Sequence, residues 1–345
     1  MDITMKRYSF SIFLFLIFFL PSTFAQHLKS SFSPESMHPR MRVIIDNDFA
    51  GDPDGLFQLA QEVLSPSVEI RAIIGSHLKP GDPFDSSSET ATHAAQKAKD
   101  LLAVMGFKDT FNVIAGSNVP LAALDKPQVS EAAKAIVAEA MRTDVKTPLY
   151  VVCGAGLTDI ASAYLLEPKI ADKITLVWIG GSEYPGQIVP PNHTEMEYNL
   201  GIDPKAGQVI FNQSTIPVWQ VPRATYRQAL FSYAELITKI KPLGATGAYL
   251  TKELERIYKM TVSLKYYIGE TYILGDSPLV LLTALQSSFE SDPSSSYYEL
   301  LKTPRINDKG LYESNPTGRL IRVYTKIDSR LMFDDLVAKL SLLSK

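Results

Sequence analysis

Short β-branched runs alternate with amphipathic segments through most of the chain, and this alternation limits the fold more than any other feature. Apolar runs of this length are typical of buried strands, while apolar residues on one helical face indicate helices packed on a sheet. The predicted strands are residues 42–45, 68–74, 149–153, 174–179 and 216–221. Five helices are predicted. One begins behind Pro53, one ends near Met105 and one begins at Thr158, and the other two cover 130–141 and 204–211. This order predicts an α/β fold with a mostly parallel, Rossmann-like sheet and helices on both faces.

The overall composition excludes two classes of protein. The chain has 345 residues, of which 46% are hydrophobic, so it has enough apolar material for a packed core and is not a disordered chain. Its 34 Lys and Arg residues nearly balance 37 Asp and Glu residues, which gives a net charge of −3. A near-neutral chain lacks the basic surface that binds phosphate backbones, so we expect no nucleic-acid partner.

The N-terminus has the pattern of a secretory signal peptide. Lys6 and Arg7 precede an apolar run over residues 10–20, and small residues then lead to Ala25. A membrane anchor is the alternative, but a span needs about 20 apolar residues and this run stops at Pro21. We therefore predict a signal peptide over 1–25, a flexible leader over 26–40, and a mature protein that is periplasmic or secreted and has no membrane association.

The chain has one cysteine, Cys153, which rules out an internal disulfide in an exported protein. Cys153 ends the apolar run over 149–153, and this position predicts a small buried residue rather than a nucleophile. The core must therefore stabilise the fold without cross-links.

Residues 46–55 follow the first predicted strand and contain four carboxylates, Asp46, Asp48, Asp52 and Asp54. Ligands collect at the carboxyl ends of the strands in such sheets, and closely packed carboxylates repel one another unless a cation offsets them. Oxygen ligands favour a hard cation, Ca²⁺ before Mg²⁺. Two alternatives remain open. An EF-hand would need a preceding helix and a Glu where Phe57 stands, and a solvated acidic turn would bind nothing.

Four blocks of sequence resemble the inosine-uridine preferring nucleoside hydrolases. The acidic loop is similar to the family's Asp-x-Asp-x-Gly-x-Asp-Asp signature, and residues 154–161 resemble its Gly-x-Leu-Thr-Asn-Ile-Ala turn. Residues 178–181, 197–199 and 202–204 look like its Met-Gly-Gly, Glu-Phe-Asn and Ile-Asp-Pro motifs, and residues 275–279 look like its His-Asp-Pro block. The blocks occur in the right order over about residues 41–340, so we predict one domain, 41–345.

The resemblance implies a role for particular residues. Asp48 would be the general base and a Ca²⁺ ligand, and the other ligands would be Asp54, Asp276 and the main-chain carbonyl near Gly154. Glu197 and Asn199 would bind the ribose. Hydrolysis of an N-glycosidic bond passes through a positively charged sugar, which nearby carboxylates stabilise. The alternative for Glu197 and Asn199 is a polar strand edge without function.

Two departures from the family pattern affect these assignments. The acidic loop has one extra residue, so Pro53 stands where the family has a ribose-binding aspartate, and Asp52 is the candidate to replace it. Gly275 stands where many members have a histidine that protonates the leaving base. Ser76 and His77 lie just past a strand end and are expected to bind substrate. His77 is the histidine best placed to reach the pocket, and His193 lies in a loop near Glu197. For either histidine, an ordinary structural position is the alternative.

Aromatic rings offer another way to assist the leaving group, because a ring stacked on a purine raises the proton affinity of the base. The candidates are tyrosines expected in two helical stretches: Tyr226, Tyr233, Tyr258, Tyr266, Tyr267 and Tyr272. Ordinary packing is the alternative for each one. Residues 79–85 are either a lid over the pocket or an inert connector.

The sequence as a whole therefore predicts an exported, Ca²⁺-dependent hydrolase that releases ribose and free base from a ribonucleoside. Hydrolysis of another N-ribosyl compound and non-catalytic binding of a nucleoside or ribose are the alternatives. The predicted partner is a small-molecule nucleoside, and a homo-oligomer is left open.

Overall fold

The computed structural model describes residues 37–191, 193, 195–287 and 295–344. The predicted signal peptide and most of the predicted leader lie outside these residues. Within the described part of the chain, no helix is both long and apolar enough to cross a membrane.

Among the described residues, eight strands form the main sheet: β1 (Met41–Asn47), β2 (Val68–Gly75), β3 (Val113–Ala115), β4 (Leu149–Cys153), β5 (Ile174–Ile179), β6 (Val218–Val221), β9 (Tyr297–Lys302) and β12 (Leu320–Lys326). Their spatial order is β3-β2-β1-β4-β5-β6-β12-β9. Neighbouring strands are parallel, except that β9 runs antiparallel to β12 at one edge. Two small antiparallel pairs are β7 (Leu230–Ser232) with β8 (Thr271–Ile273) and β10 (Arg305–Ile306) with β11 (Tyr312–Glu313).

Helices cover both faces of the sheet, which confirms the predicted α/β class. The α-helices are α1 (Asp54–Val63), α2 (Thr90–Val104), α3 (Glu131–Ala140), α4 (Thr158–Leu166), α5 (Tyr198–Ile202), α6 (Pro204–Gln208), α7 (Arg223–Tyr226), α8 (Tyr233–Glu235), α9 (Gly244–Ser263), α10 (Pro278–Leu281) and α11 (Ser329–Leu343). One apolar core includes side chains of α1, α2, α9 and α11, and the other includes those of α3, α4 and α6. Cys153 is buried in the second core, as its sequence context predicts.

The central strands are almost entirely buried because each faces helices on two sides. All seven residues of β1 are buried, including Asp46 and Asn47 at its end. Parallel strands covered on both faces have continuous rather than alternating apolar sequences, which explains the runs seen in the sequence. In β1 the apolar run ends in the buried polar residues Asp46 and Asn47, at the carboxyl end of the strand.

Candidate active site

The strand order reverses next to β1, and a pocket lies there. From β1 the chain passes to β2 and β3 on one side, and later to β4, β5 and β6 on the other. In open α/β sheets this reversal leaves a crevice between the loops that follow the two diverging strands. The pocket has a volume of about 570 Å³. Its lining includes Asp48, Asp52, Asp54, Gly154, Glu197, Asn199 and Asp276.

The acidic loop enters the pocket because a buried strand ends in it and a helix begins directly after it. Asp48 follows β1 and is only 8% exposed, while Asp54 is the first residue of α1. A carboxylate in the first turn of a helix interacts favourably with the helix dipole. The oxygen Oδ1 of Asp52 accepts a hydrogen bond from the Asp54 N–H at 3.1 Å. An EF-hand is excluded because a strand precedes the loop and Phe57 is buried within α1.

Asp276 reaches the same pocket from a distant part of the sequence. The side-chain amide of Asn47 donates to its Oδ2 at 3.0 Å, across 229 positions of sequence. Gly154 packs against this pair, since a Cβ at residue 154 would lie 2.5 Å from Asn47 Nδ2 and 2.7 Å from Asp276 Oδ1. A glycine is therefore required at the end of β4 for the three segments to approach.

Burial and mutual repulsion perturb all three carboxyl groups that resemble the family's metal ligands. Burial raises the pKa of Asp48 well above its usual value, and the charges of Asp276, Asp52 and Asp82 raise it further. Burial, Asp276 and Asp52 likewise raise the pKa of Asp54. The pKa of Asp276 is raised to about 8, mainly by burial, although the hydrogen bond from Asn47 opposes the shift. The wall of the pocket therefore favours binding of positive charge.

The donor atoms suit a hard cation, although they do not already form a coordination shell. Within the described residues, no group of three His, Cys, Asp or Glu side chains is arranged to hold a metal ion. The carboxyl group of Asp54 opposes the rise in the pKa of Asp276, so the two groups lie close together. The Oδ1 of Asn47 is buried without a hydrogen-bond partner. Neighbouring buried carboxyl groups beside an unsatisfied amide oxygen fit an oxygen-ligated cation such as Ca²⁺.

Glu197 and Asn199 line the same pocket from the start of α5 rather than from a strand edge. Glu197 is the N-cap of that helix, where its Oε2 accepts from the N–H groups of Leu200 at 3.0 Å and Gly181 at 2.7 Å. The Asn199 amide donates to the carbonyls of Ile179 at 2.8 Å and Gly154 at 3.3 Å. The Asn199 amide thereby connects α5 to the ends of β4 and β5.

The structure does not bring Ser76 and His77 into the pocket lining. The Ser76 hydroxyl donates to Asp46 behind the acidic loop. His77 is 1% exposed; its Nδ1 pairs with the Leu78 carbonyl at 2.9 Å and its Nε2 with the Thr158 hydroxyl at 2.8 Å. The bond between His77 and Thr158 joins the loop after β2 to the start of α4. The prediction that both residues bind substrate is not favoured by their positions.

The tyrosines lie differently from the helical arrangement expected of them. Helix α9 ends at Ser263, so Tyr266 and Tyr267 lie in a loop and Tyr272 lies on β8. The tyrosines that line the pocket are Tyr198, Tyr226, Tyr266 and Tyr272. Tyr258 packs behind Tyr272 at a ring distance of 6.4 Å, and Tyr233 packs on Tyr258 at 5.3 Å. Stacking candidates are thus reduced to residues that reach the cavity.

Residues 79–85 contact the pocket. Two residues that line it, Tyr198 and Phe84, were missed from the sequence. The Tyr198 hydroxyl donates to Asp82 Oδ2 at 2.6 Å, and Lys79 Nζ lies 4.3 Å from the centre of the Tyr198 ring. Phe84 lines the cavity. Tyr198 stands between Glu197 and Asn199 in sequence, but no local pattern signals that it bonds a residue 116 positions away.

Comparison with known proteins identifies the same family as the motifs. The sequence model described as "Inosine-uridine preferring nucleoside hydrolase" matches residues 43–325. A curated protein of that name from Crithidia fasciculata is 37% identical over 99 residues, and one from Leishmania major is 40% identical over 75 residues. These alignments cover 28% and 21% of this chain, and 28% and 22% of the two relatives.

Solved structures of nucleoside hydrolases share the fold over most of the chain. A purine-preferring ribonucleoside hydrolase from Gardnerella vaginalis has a TM-score of 0.68 at 18% identity, with 88% of this chain and 99% of that one covered. A plant nucleoside hydrolase has a TM-score of 0.64 at the same identity and coverage. At this level of identity the likeness is evidence for the fold alone.

Proposed function

Because this chain belongs to the inosine-uridine preferring nucleoside hydrolase family, we propose that it hydrolyses the N-glycosidic bond of ribonucleosides and releases ribose and free base. One observation supports the proposal above all others. Asp48, Asp54, Asp276, Glu197 and Asn199 all line one cavity at the strand-order reversal. Its volume of about 570 Å³ lies within the range of about 300–1,000 Å³ that is typical of small-molecule sites.

The chemistry needs a base, a source of negative charge and a grip on the sugar. As the bond between C1′ and the base breaks, the electron pair leaves with the base and positive charge develops on the ribose. Asp48 accepts a proton from the attacking water, whose oxygen bonds to C1′. The neighbouring carboxylates stabilise the positively charged sugar, since preorganised charges act strongly in a buried site.

Ca²⁺ dependence is part of the proposal. The residues that would hold the ion are Asp48, Asp54, Asp276 and the carbonyl of Gly154, all oxygen donors in the pocket wall. When bound, the ion supplies positive charge that offsets these carboxylates and lowers the pKa of water. Asp52 is the proposed replacement for the ribose-binding aspartate that Pro53 displaces, since Asp52 lines the pocket.

Leaving-group assistance by histidine is not part of the proposal. Gly275 supplies no side chain, and His193 pairs with the Pro190 carbonyl at 2.9 Å in an exposed loop. Bases that depart easily should therefore be favoured, and p-nitrophenyl riboside should react faster than uridine. Purine nucleosides should rank between them if a pocket tyrosine stacks on the base.

A reducing-sugar assay on purified protein tests the proposal. Inosine, adenosine, uridine, NAD and p-nitrophenyl riboside are compared with Ca²⁺ and with a chelator. Release of ribose from nucleosides, lost on chelation, is the expected result. Reducing sugar formed from NAD alone, as ADP-ribose with release of nicotinamide, would favour another N-ribosyl substrate, which the altered acidic loop and Gly275 make the second candidate. Binding of ribosides without turnover would leave a binding protein and overturn the hydrolase.

Export is proposed from the N-terminal pattern. We expect a mature chain that begins after Ala25 and is found in the periplasm or outside the cell. N-terminal sequencing of the protein recovered from each cell fraction tests this. An intact N-terminus on protein inside the cell would contradict it. Size-exclusion chromatography of the same material tests whether the protein is a homo-oligomer.

A further inference from the structure

Tyr226 contacts both Glu197 and Gly275, which belong to two different sequence blocks of the family resemblance. Its hydroxyl donates to Glu197 Oε1 at 2.9 Å. Its ring faces Gly275, since a Cβ at residue 275 would lie 3.4 Å from Tyr226 Cδ2 and 3.2 Å from Asp54 Oδ2. The ring therefore occupies space into which a larger side chain at residue 275 would project.

The contact completes the set of donors around Glu197. Oε2 accepts from the N–H groups of Gly181 and Leu200, which belong to the backbone and cannot be lost by a side-chain change. Oε1 accepts from Tyr226. The two backbone donors already restrict rotation of the carboxylate, and the third donor, on the other oxygen, restricts it further and so holds the plane of the carboxylate.

Two roles for the Tyr226 hydroxyl can be compared. As an acid it would give its proton to the departing base, and as a hydrogen-bond donor it would hold Glu197. A hydroxyl has one proton, and the 2.9 Å contact directs that proton to Glu197. Burial and the charge of Glu197 also raise the pKa of Tyr226 well above its usual value, which makes it a poor acid.

We propose that Tyr226 is a positioning residue that holds Glu197 in place for the ribose and fills the space beside Gly275. The inference rests on the proposed hydrolase function. It assigns Tyr226 to the sugar side of the reaction and removes it from the candidates for leaving-group acid. The ring of Tyr226, on α7, then occupies space that a side chain at residue 275 would take.

The test compares two substrates that differ in their need for an acid. Tyr226→Phe removes the hydroxyl and keeps the ring. If Tyr226 positions Glu197, the values of kcat/KM for inosine and for p-nitrophenyl riboside should fall by the same factor, about 10- to 100-fold for a lost bond to a charged group. Tyr267→Phe is the matched control, since Tyr267 is 76% exposed and lies outside the pocket lining. We expect it to act as the wild type.

A loss confined to inosine would show that Tyr226 protonates the base, and unchanged activity on both substrates would show that the bond to Glu197 has no role. Either result overturns the inference. In a Glu197→Gln background, Tyr226→Phe should cost less than about twofold more, because Tyr226 acts through Glu197. A full additional loss would show that it acts independently and would also contradict the proposal.

Failure of the proposed function gives a different result. A wild-type protein that hydrolyses neither substrate overturns the hydrolase assignment itself. Calorimetry with ribose as the probe then decides the role of Tyr226, since the wild type and the two tyrosine variants can be compared without turnover. Weaker binding by Tyr226→Phe alone is expected, and equal or absent binding in all three proteins would overturn the inference.

Discussion

Helix α1 has a group of buried charges near each of its ends, and the two groups differ in how the chain balances them. The pocket cluster consists of Asp48, Asp54 and Asp276. The far cluster consists of Glu62, Asp335 and Lys339, where Lys339 Nζ lies 2.7 Å from both Asp335 Oδ2 and Ser65 Oγ. In the far cluster the charge of Lys339 lowers the pKa of Glu62, opposing burial. In the pocket cluster, neighbouring carboxylates raise one another's pKa.

This difference separates a structural cluster from a binding site. A buried charge costs free energy unless it is paired, and the far cluster meets this cost within the chain. The pocket cluster leaves its negative charge for a ligand to balance. The comparison predicts that the same kind of substitution affects activity at one end of α1 and stability at the other.

The largest effect should come from Asp48→Asn. If Asp48 is the general base, as proposed, the substitution should lower kcat/KM for inosine by about 10³- to 10⁴-fold, with little change in stability. Asp335→Asn is the matched control, because it makes the same chemical change in the far cluster. Steady-state kinetics of the two variants should differ by this factor. Comparable activity in both would remove Asp48 from the chemistry.

Lys339→Met should have the opposite result. Removing the cation leaves Glu62 and Asp335 without it, so the free energy of unfolding should fall by about 3–5 kcal/mol while kcat of the folded protein is unchanged. Denaturant titration measures this. Lys134→Met is the control, since its ion pair with Glu131 is exposed and should contribute less than about 1 kcal/mol. Equal stability of both variants would show that the far cluster does not depend on Lys339.

The pH dependence of stability should show the effect of Glu62. Burial raises its pKa from 4.5 to about 7 in the folded protein. The folded state then holds a proton that the unfolded state has lost, so this contribution is complete below pH 4.5 and is lost as the pH rises through about 7. The loss should be about 3 kcal/mol. The difference in unfolding free energy between the wild type and Glu62→Gln, measured from pH 4 to 8, should follow this course. A flat difference would contradict it.

The smallest of the four effects should be the response to Ca²⁺. At a Ca²⁺ concentration of about 100 times Kd, binding adds about 2.7 kcal/mol to the free energy of unfolding, so the Tm of the wild type should rise. Asp276→Asn should weaken the rise, because it removes one anionic ligand and nearly preserves shape. Calorimetry that finds undiminished Ca²⁺ affinity in this variant would disprove the site. Lys339→Met should keep the response, which again separates the two clusters.

Local patterns predicted five of the eight described strands of the main sheet, β1, β2, β4, β5 and β6, and did not predict β3, β9 or β12. Strands β4 and β5 have nearly continuous apolar sequences because both faces are covered, whereas Glu69 and Arg71 interrupt the apolar sequence of β2. The acidic loop is recognisable by its density of carboxylates. Helix α9 was expected to continue towards residue 272, but it ends at Ser263. The β7–β8 pair joins residues that are 39 to 43 positions apart, from Ser232 with Thr271 to Leu230 with Ile273. Such pairing leaves no periodic signal in either segment.

What the sequence by itself determined is therefore the alternation of strands and helices along the chain, the class of fold and the motifs that resemble the family, because each of these depends on neighbours within a few residues. The tertiary structure decided which side chains meet. In the structure Asn47 bonds to Asp276, Tyr226 to Glu197 and Tyr198 to Asp82. His77 bonds to Thr158 and is not part of the pocket lining. A hydrogen bond depends on the positions of two atoms in space, and the folding of the sheet sets those positions.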